Sequence, residues 1–284
     1  MKILFLLCFV ALIVSSWGCS NHTLSPEYDC NVPSLLNEAK TGTYWVYQRT
    51  MLDSLGNPIV DLTLPAKAIY YDTLSLIGTD TKHSYQEVTA LKLEDKYSDD
   101  GGTTIRRDTV YWVITQNTFY VNNLHVQNMQ CDCPSHKYLS WRVFEDCNNT
   151  SLKFADTSYR GDPYPTPNKD NLGNNILAEI GIDIKNTFNT VGQENVKTIT
   201  GDIIAKKSQS FLYFSNKIIS PQDITFVNGK RTITIDDNRT VWTNSNIGII
   251  KEHSITHTVD DVQFNDLNPP HSFERILIKY SIVK

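Results

Sequence analysis

The sequence has no phosphate-cradling glycine loop, no Gly-x-Ser-x-Gly elbow and no His-Glu-x-x-His pair. These are the short motifs by which P-loop enzymes, α/β-hydrolases and zinc proteases are read from sequence. Clustered cations are missing as well: the nearest approaches are pairs such as Arg106-Arg107 and Lys206-Lys207, and 26 Lys and Arg stand against 31 Asp and Glu for a net charge of −5. Phosphate binding needs basic residues gathered on one face, so nucleic acid is not an expected partner. Beyond Val14, no segment is apolar enough to span a bilayer as a helix, which takes about 20 residues. The acidic pairs Asp99-Asp100, Asp236-Asp237 and Asp260-Asp261 read as turn residues, where aspartate bonds its own backbone. Accordingly no residue is assigned to catalysis, no metal ligand is assigned and no cofactor is expected.

What is present begins at the N-terminus. Lys2 precedes the apolar run Ile3 to Val14, and the small residues Ser15, Ser16 and Gly18 follow. This is the three-part pattern of an export signal, and the run is too short for a spanning helix. Ser16-Trp17-Gly18-Cys19 resembles the lipobox of bacterial lipoprotein precursors, in which the cysteine is diacylated and becomes the new first residue. The resemblance implies a membrane partner, reached through acyl chains on Cys19; two or three chains give stable anchoring where one gives only marginal binding. The expected organisation is a signal peptide at 1–18, a lipidated tether at 19–31, and a single β-rich domain at 32–284 with a long loop at 160–175.

Setting aside Cys8 and Cys19 leaves Cys30, Cys131, Cys133 and Cys147, an even set that in an exported chain reads as two disulfides. Pairing Cys131 with Cys133 would close a very small, strained ring. The expectation is therefore Cys30 with one of them and Cys147 with the other. Cys131, Cys133, His136 and Cys147 also offer zinc-type donors, but the spacing is not that of a standard structural site.

From there the hydrophobic pattern has period two almost throughout, with polar turns between the runs, which predicts an all-β fold. The architecture expected is an antiparallel, strongly curved sheet or barrel-like meander, with a β-sandwich as the alternative and a short helix over Pro33 to Ala39. Strands are expected at Tyr44 to Met51, Ala68 to Leu76, Tyr85 to Leu93, Thr104 to Thr115, Thr118 to Val126, Tyr138 to Phe144 and Ser151 to Ala155. A second set runs Ile180 to Phe188, Val196 to Ile204, Gln209 to Phe214, Thr232 to Ile235, Thr240 to Thr243, Ile247 to His257 and Phe273 to Val283. Ser98 to Gly102, Asn228-Gly229 and Asp236 to Asn238 read as the turns between neighbours. Arg160 to Asn175, carrying Gly161, Pro163, Pro165, Pro167 and Gly173, reads as a long functional loop or a join between halves.

Gly42-Thr43-Tyr44-Trp45-Val46-Tyr47-Gln48 and the late run Gly248-Ile249-Ile250-Lys251 resemble stretches of uncharacterised lipoproteins from Bacteroidota-type bacteria. That resemblance implies an exported β-rich domain and transfers no catalytic residue. Those proteins often carry acidic residues just after the lipidated cysteine as a surface-export signal. Here Ser20-Asn21-His22-Thr23 follows Cys19, so an outer-membrane lipoprotein on the periplasmic face is expected rather than one at the cell surface.

The remaining candidates are ligand-lining side chains at Tyr159, Tyr164, His253 and His257. The two histidines have helical metal spacing, but in a strand they stand about 13 Å apart and cannot share an ion. Asn168, Asp170, Gly173 and Glu179 echo a calcium loop that lacks a ligand at Leu172. Asp53-Ser54-Leu55, Asp72-Thr73-Leu74 and Asp108-Thr109-Val110 resemble the O-glycosylation sequon of the same bacteria and point to Ser54, Thr73 and Thr109. Tyr44, Trp45, Tyr47, Tyr111, Trp112 and Trp242 are expected mainly in the core. The role expected is non-enzymatic binding of an apolar small molecule or an envelope protein; an envelope glycan hydrolase and a structural subunit of an envelope assembly are the alternatives.

Overall fold

The computed structural model describes residues 32–59, 69–85, 87–98, 104–122, 141–160, 164–169, 172–219, 232–260 and 272–284. The chain divides into two units, 1–30 and 31–284, and every described residue belongs to the second. A 3-10 turn at Ser34–Glu38 precedes the strands β1 (Tyr44–Met51), β2 (Ile69–Tyr85), β3 (Val88–Tyr97), β4 (Arg106–Ile114), β5 (Thr118–Asn122), β6 (Trp141–Asp146) and β7 (Ser151–Arg160). After them come β8 (Tyr164–Lys169), β9 (Asn175–Thr198), β10 (Gly201–Ile219), β11 (Thr232–Asn244), β12 (Gly248–Asp260) and β13 (Phe273–Ser281).

All pairings are antiparallel and form one sheet in the order β6-β5-β4-β3-β2-β1-β13-β12-β11-β10-β9-β7, with β8 also paired to β9. The first and last strands lie side by side at its centre, and two meanders run outward from them. This is the expected all-β meander, as a single open sheet rather than a sandwich of two. Its curvature follows from burial. In β1 every second residue is buried, so one face is apolar and must be covered. The sheet covers that face with itself.

Trp45, Trp112, Phe119 and Phe144 form the centre of the core, each ring 5.1 to 6.0 Å from the next. Leu36 of the 3-10 turn, Ile249 of β12 and Leu277 of β13 close around them. Burying each such side chain contributes about 1.5–3 kcal/mol. Two indole and phenol groups find backbone acceptors: Trp45 Nε1 donates to Ile247 O at 2.7 Å, and Tyr47 Oη donates to Ile249 O at 3.0 Å. Burial pushes the Tyr47 hydroxyl well above the ordinary tyrosine range.

Strand β6 ends the hydrogen-bonding order at one edge, yet all six of its residues are buried. The curl brings it against β9, β10 and β11. There Asn186 Nδ2 donates to Trp141 O at 2.9 Å and Ser208 Oγ donates to Phe144 O at 2.7 Å. Side chains thus occupy carbonyls that an edge would otherwise leave bare. Behind β6 a second cluster of Tyr85, Tyr111, Val113, Tyr120, Trp141, Val143 and Phe188 fills the other face.

Four local differences from the sequence reading have physical causes. The helix expected over Pro33 to Ala39 is a single 3-10 turn. The stretch 160–175, expected as a loop, contains β8, whose Tyr164 and Pro165 pair with Ala178 and Leu177 of β9; proline is tolerated there because β8 lies along the sheet edge. The strand expected from Val196 to Ile204 is instead a hairpin turning at Ile199-Thr200, with Thr198 paired to Gly201 at φ +122°. Apolar Ile199 is exposed at its tip. Asp236 to Asn238, expected as a turn, lies inside the continuous strand β11.

Candidate functional site

The inward face of β1 begins with Trp45 and Tyr47 and continues with Arg49, which is just as buried as a core residue. The same change from apolar to charged occurs at one level across the sheet. Going along neighbouring strands, β3 supplies Asp95, β2 Asp72, β1 Arg49, β13 Arg275, β12 Glu252 and β11 Arg239 with Asp237. Arg275 lies directly opposite Arg49 on one side and Glu252 on the other. Side chains directly opposite across antiparallel strands share a face, so these groups form a transverse ladder beneath the aromatic core.

Carboxylates and guanidinium groups alternate along its ion-pair contacts, though not along the strand order. Arg49 Nη1 lies 3.2 Å from Asp72 Oδ2, and Arg275 Nη1 lies 3.8 Å from the same oxygen and 3.5 Å from Asp95 Oδ2. Through Nε and Nη2, Arg275 donates to Glu252 Oε2 at 2.8 and 2.7 Å. Arg239 Nη1 donates to Glu252 Oε1 at 2.9 Å, while its Nη2 donates to Asp237 Oδ2 at 3.0 Å. Ser254 Oγ donates to Asp237 Oδ1 at 3.1 Å. The last rung comes from across the roll, where Arg142 of β6 donates from Nη2 to Asp237 Oδ2 at 2.7 Å. Aromatic faces cap the cations: Arg49 lies 4.2 Å from the Phe273 ring centre and 4.9 Å from that of Tyr97, and Arg275 lies 4.8 Å from that of Tyr47.

The environment pulls these acids apart. Burial pushes Glu252 up, but Arg275 and Arg239 outweigh it and hold the carboxyl below its ordinary value. Asp237 is treated alike, with Arg142 and Arg239 overcoming burial. Asp95, at the end of the ladder, goes the other way: burial raises it to about 7 against the pull of Arg275. Its side chain is 13% exposed, more than Asp72 or Glu252. Burial lowers Arg142 to about 10, opposed by Asp237. A guanidinium and carboxylate locked together in this way position strands; they are not free to transfer protons to a substrate.

The residues singled out from sequence are placed elsewhere. His253 and His257 lie on the outward face of β12, between the buried Glu252, Ser254 and Thr256. His253 Nδ1 lies 3.4 Å from Glu274 Oε2, and His257 is exposed. Tyr159 of β7 is opposite Ile182 and Tyr164 of β8 opposite Ala178, so both lie along β9. Ser54 is exposed in a turn where Asp53 Oδ1 accepts from Leu55 N and Asn57 N, each at 2.8 Å. Thr73 and Thr109 are half-buried in β2 and β4. Their preceding aspartates have structural partners: Asp72 in the ladder, and Asp108 accepting from Tyr97 Oη at 2.7 Å. Cys147 is half-buried against the main core. Cys19, Cys30, Cys131 and Cys133 lie outside the described residues. Of the calcium-loop echo, Asn168 and Glu179 fall on the paired strands β8 and β9, Gly173 falls in the turn between them, and Asp170 is outside the described residues. Of the aromatic candidates, Trp45, Tyr47, Tyr111, Trp112 and Trp242 are buried and Tyr44 is half-buried.

Fold and site together define an all-β protein built on one rolled antiparallel sheet with a charged ladder inside it. No protein-family model and no curated protein matches the chain. Among solved structures, a "putative exported protein with YmcC-like fold" from Bacteroides fragilis is similar at 12% identity and a TM-score of 0.37, over 86% of this chain and 97% of that one. A "putative lipoprotein" from Parabacteroides distasonis is similar at 14% identity and a TM-score of 0.37, over 89% and 100%. Likeness at that level carries no statement about the role of this chain.

Proposed function

We propose that this protein is an outer-membrane lipoprotein, held on the periplasmic face by acyl chains on Cys19, whose β domain binds an apolar small molecule without transforming it. The observation that carries the binding reading is the strand register of β9, β10 and β11 beyond the ladder. Register puts Ile180, Ile182 and Ile184 of β9 opposite Ile218, Asn216 and Phe214 of β10, and the last two opposite Ile233 and Ile235 of β11. The paired positions thus carry five isoleucines and Phe214 in register beside the buried Ile184. Among the described residues, strand β13 pairs with β12 from Lys251 to Ser254, whereas Ile235 and Ile233 lie level with Thr258 and Asp260. The isoleucine-rich register therefore runs on beyond the last described β12–β13 pair, and an apolar lining is what a small-molecule site needs.

The export signal, the lipobox cysteine and the non-acidic Ser20-Asn21-His22-Thr23 support the location. Cys30 is expected to pair with one of Cys131 and Cys133, and Cys147 with the other. A glycan hydrolase would present two carboxyls to the sugar about 5–10 Å apart; Asp72 and Glu252, both 0% exposed, are committed to arginines instead.

Native mass spectrometry of the mature protein purified from envelopes, followed by the same sample denatured, tests the reading. A mass excess that vanishes on denaturation, and is lost in Ile182→Asp, is the expected result. A bare chain in the native spectrum would overturn it, and co-purifying protein would mark an assembly subunit.

A further inference from the structure

Glu145 of β6 and Lys206 of β10 meet inside the roll, where the edge strand rests on the opposite half of the sheet. Lys206 Nζ contacts Glu145 Oε1, and the two side chains are 2% and 0% exposed. The other carboxyl oxygen, Oε2, accepts from Thr243 Oγ1 of β11 at 3.4 Å. Phe144 and Ala205, the preceding residues on β6 and β10, belong to the aromatic core. Ser208 Oγ, one step further along the inward face of β10, fixes the β6 backbone by donating to Phe144 O at 2.7 Å. An amine and a carboxyl are thus held together by two strands whose own positions are fixed.

We propose that Lys206 and Glu145 are joined by an isopeptide bond that forms within the folded chain. A proton passes from the Nζ ammonium to the Glu145 carboxylate, giving a neutral amine and a neutral acid. The Nζ lone pair attacks Cδ, a C–N bond forms, and the C–OH bond breaks. The departing hydroxyl takes one of the two amine protons and leaves as water, and the other stays as the amide N–H. No oxidant, nucleotide or second protein enters the balance.

Three features of the site favour that course. Taking charges out of water is costly, and both side chains are almost wholly buried. Burial raises the Glu145 carboxyl, against the pull of Lys206, which favours the protonated acid that attack requires. Holding the reactants together supplies an effective concentration of about 10⁵–10⁸ M in well-oriented cases, and the Thr243 hydroxyl is placed to donate to the developing oxyanion. The bond would span 61 residues of sequence and tie the edge strand to β10, closing covalently a roll that backbone pairing leaves open. As with a disulfide, such a link restricts the unfolded chain.

Tryptic digestion of the reduced, alkylated full-length protein decides the matter. An acylated Lys206 is not a trypsin site, so the expected product is the peptide 143–153 joined to 198–207 and lighter than their sum by one water. Lys206→Arg keeps a cation at the site but cannot form the link; it is expected to give only unjoined peptides and to lose ordered tertiary structure at a lower temperature than the wild type. Recovery of 143–153 and 198–206 as separate peptides from the wild-type protein would overturn the proposal, with no folding of a variant required.

Discussion

Arg142 and Asp237 lie 95 residues apart in sequence and 2.7 Å apart in space, each with its side chain 1% exposed. The pair joins β6, the last strand of one meander, to β11 in the other, so it fastens the curl rather than any hydrogen-bonded neighbours. Removing one partner of a buried ion pair leaves the other uncompensated, at about 3–5 kcal/mol. Asp237 retains Arg239, which puts Arg142→Met at about 3 kcal/mol, the lower end of that range. Urea denaturation should show the midpoint falling with little change in slope. An unchanged midpoint would mean the contact contributes nothing to stability.

The ladder also predicts a pH dependence. Asp95 is raised from 3.8 to about 7 by burial, so the folded protein binds a proton there that the unfolded chain has released. Its contribution is fully present below about pH 4 and is lost as pH rises through 7, with a slope of at most about 1.4 kcal/mol per unit. Asp237 and Glu252, both lowered, act in the opposite sense and lose their contribution as pH falls through their folded values. Comparing wild type with Asp95→Asn isolates the first effect. The variant should gain stability relative to wild type between pH 4 and 8, and parallel stability curves would refute the assignment.

Much of the fold was legible because period two is a direct consequence of strand geometry. The bounds of β1 at Tyr44–Met51 match those expected. The reading failed where residue chemistry has two uses. Aspartate and asparagine at 236–238 are turn formers, but in β11 Asp237 points inward to Arg142 and Arg239. Ile199 has the apolar character of a strand residue yet occupies the hairpin tip, where Gly201 supplies the positive φ. The ladder itself was missed, although its trace was present: in Trp45-x-Tyr47-x-Arg49-x-Met51 and Phe273-x-Arg275-x-Leu277 the arginine falls on the apolar parity. A charge on that parity must be paired once buried, but the sequence does not say with whom.

Gly248 opens β12 at φ +96°, and a Cβ added there would come within 3.1 Å of Leu36 Cδ1. Gly248→Ala therefore meets both the left-handed backbone penalty, about 1–2 kcal/mol, and a crowded contact with the 3-10 turn. Thermal unfolding should show a clear loss of stability. By contrast, Gly173, also at positive φ but with nothing within 4 Å, should cost only the backbone part when changed to alanine.

Tyr47 tests how tightly the core is sealed. Its hydroxyl donates to Ile249 O and is wholly buried. Tyr47→Phe removes that donor and should destabilise by about 1–3 kcal/mol, the cost of a buried acceptor left unpaired. Ultraviolet titration of the native protein should also leave Tyr47 un-ionised until the alkaline unfolding transition, so the variant should have one fewer tyrosine titrating with unfolding.

The edge of β6 gives the last test. Asn186 and Ser208 donate to Trp141 O and Phe144 O, so side chains do what a neighbouring strand would do by backbone pairing. Ser208→Ala leaves Phe144 O buried without this donor, at about 1–3 kcal/mol. Asn186→Leu has the same effect on Trp141 O and adds bulk. Because the two donors brace neighbouring parts of one short strand, their losses should be coupled: once β6 has loosened, the second substitution costs less than it does alone. A freed edge is also a template for strand addition, so the double variant should aggregate in a concentration-dependent way below its unfolding temperature while each single variant stays dispersed. Strictly additive losses, with no aggregation, would mean that β6 is held by its apolar packing and that the two hydrogen bonds only decorate it.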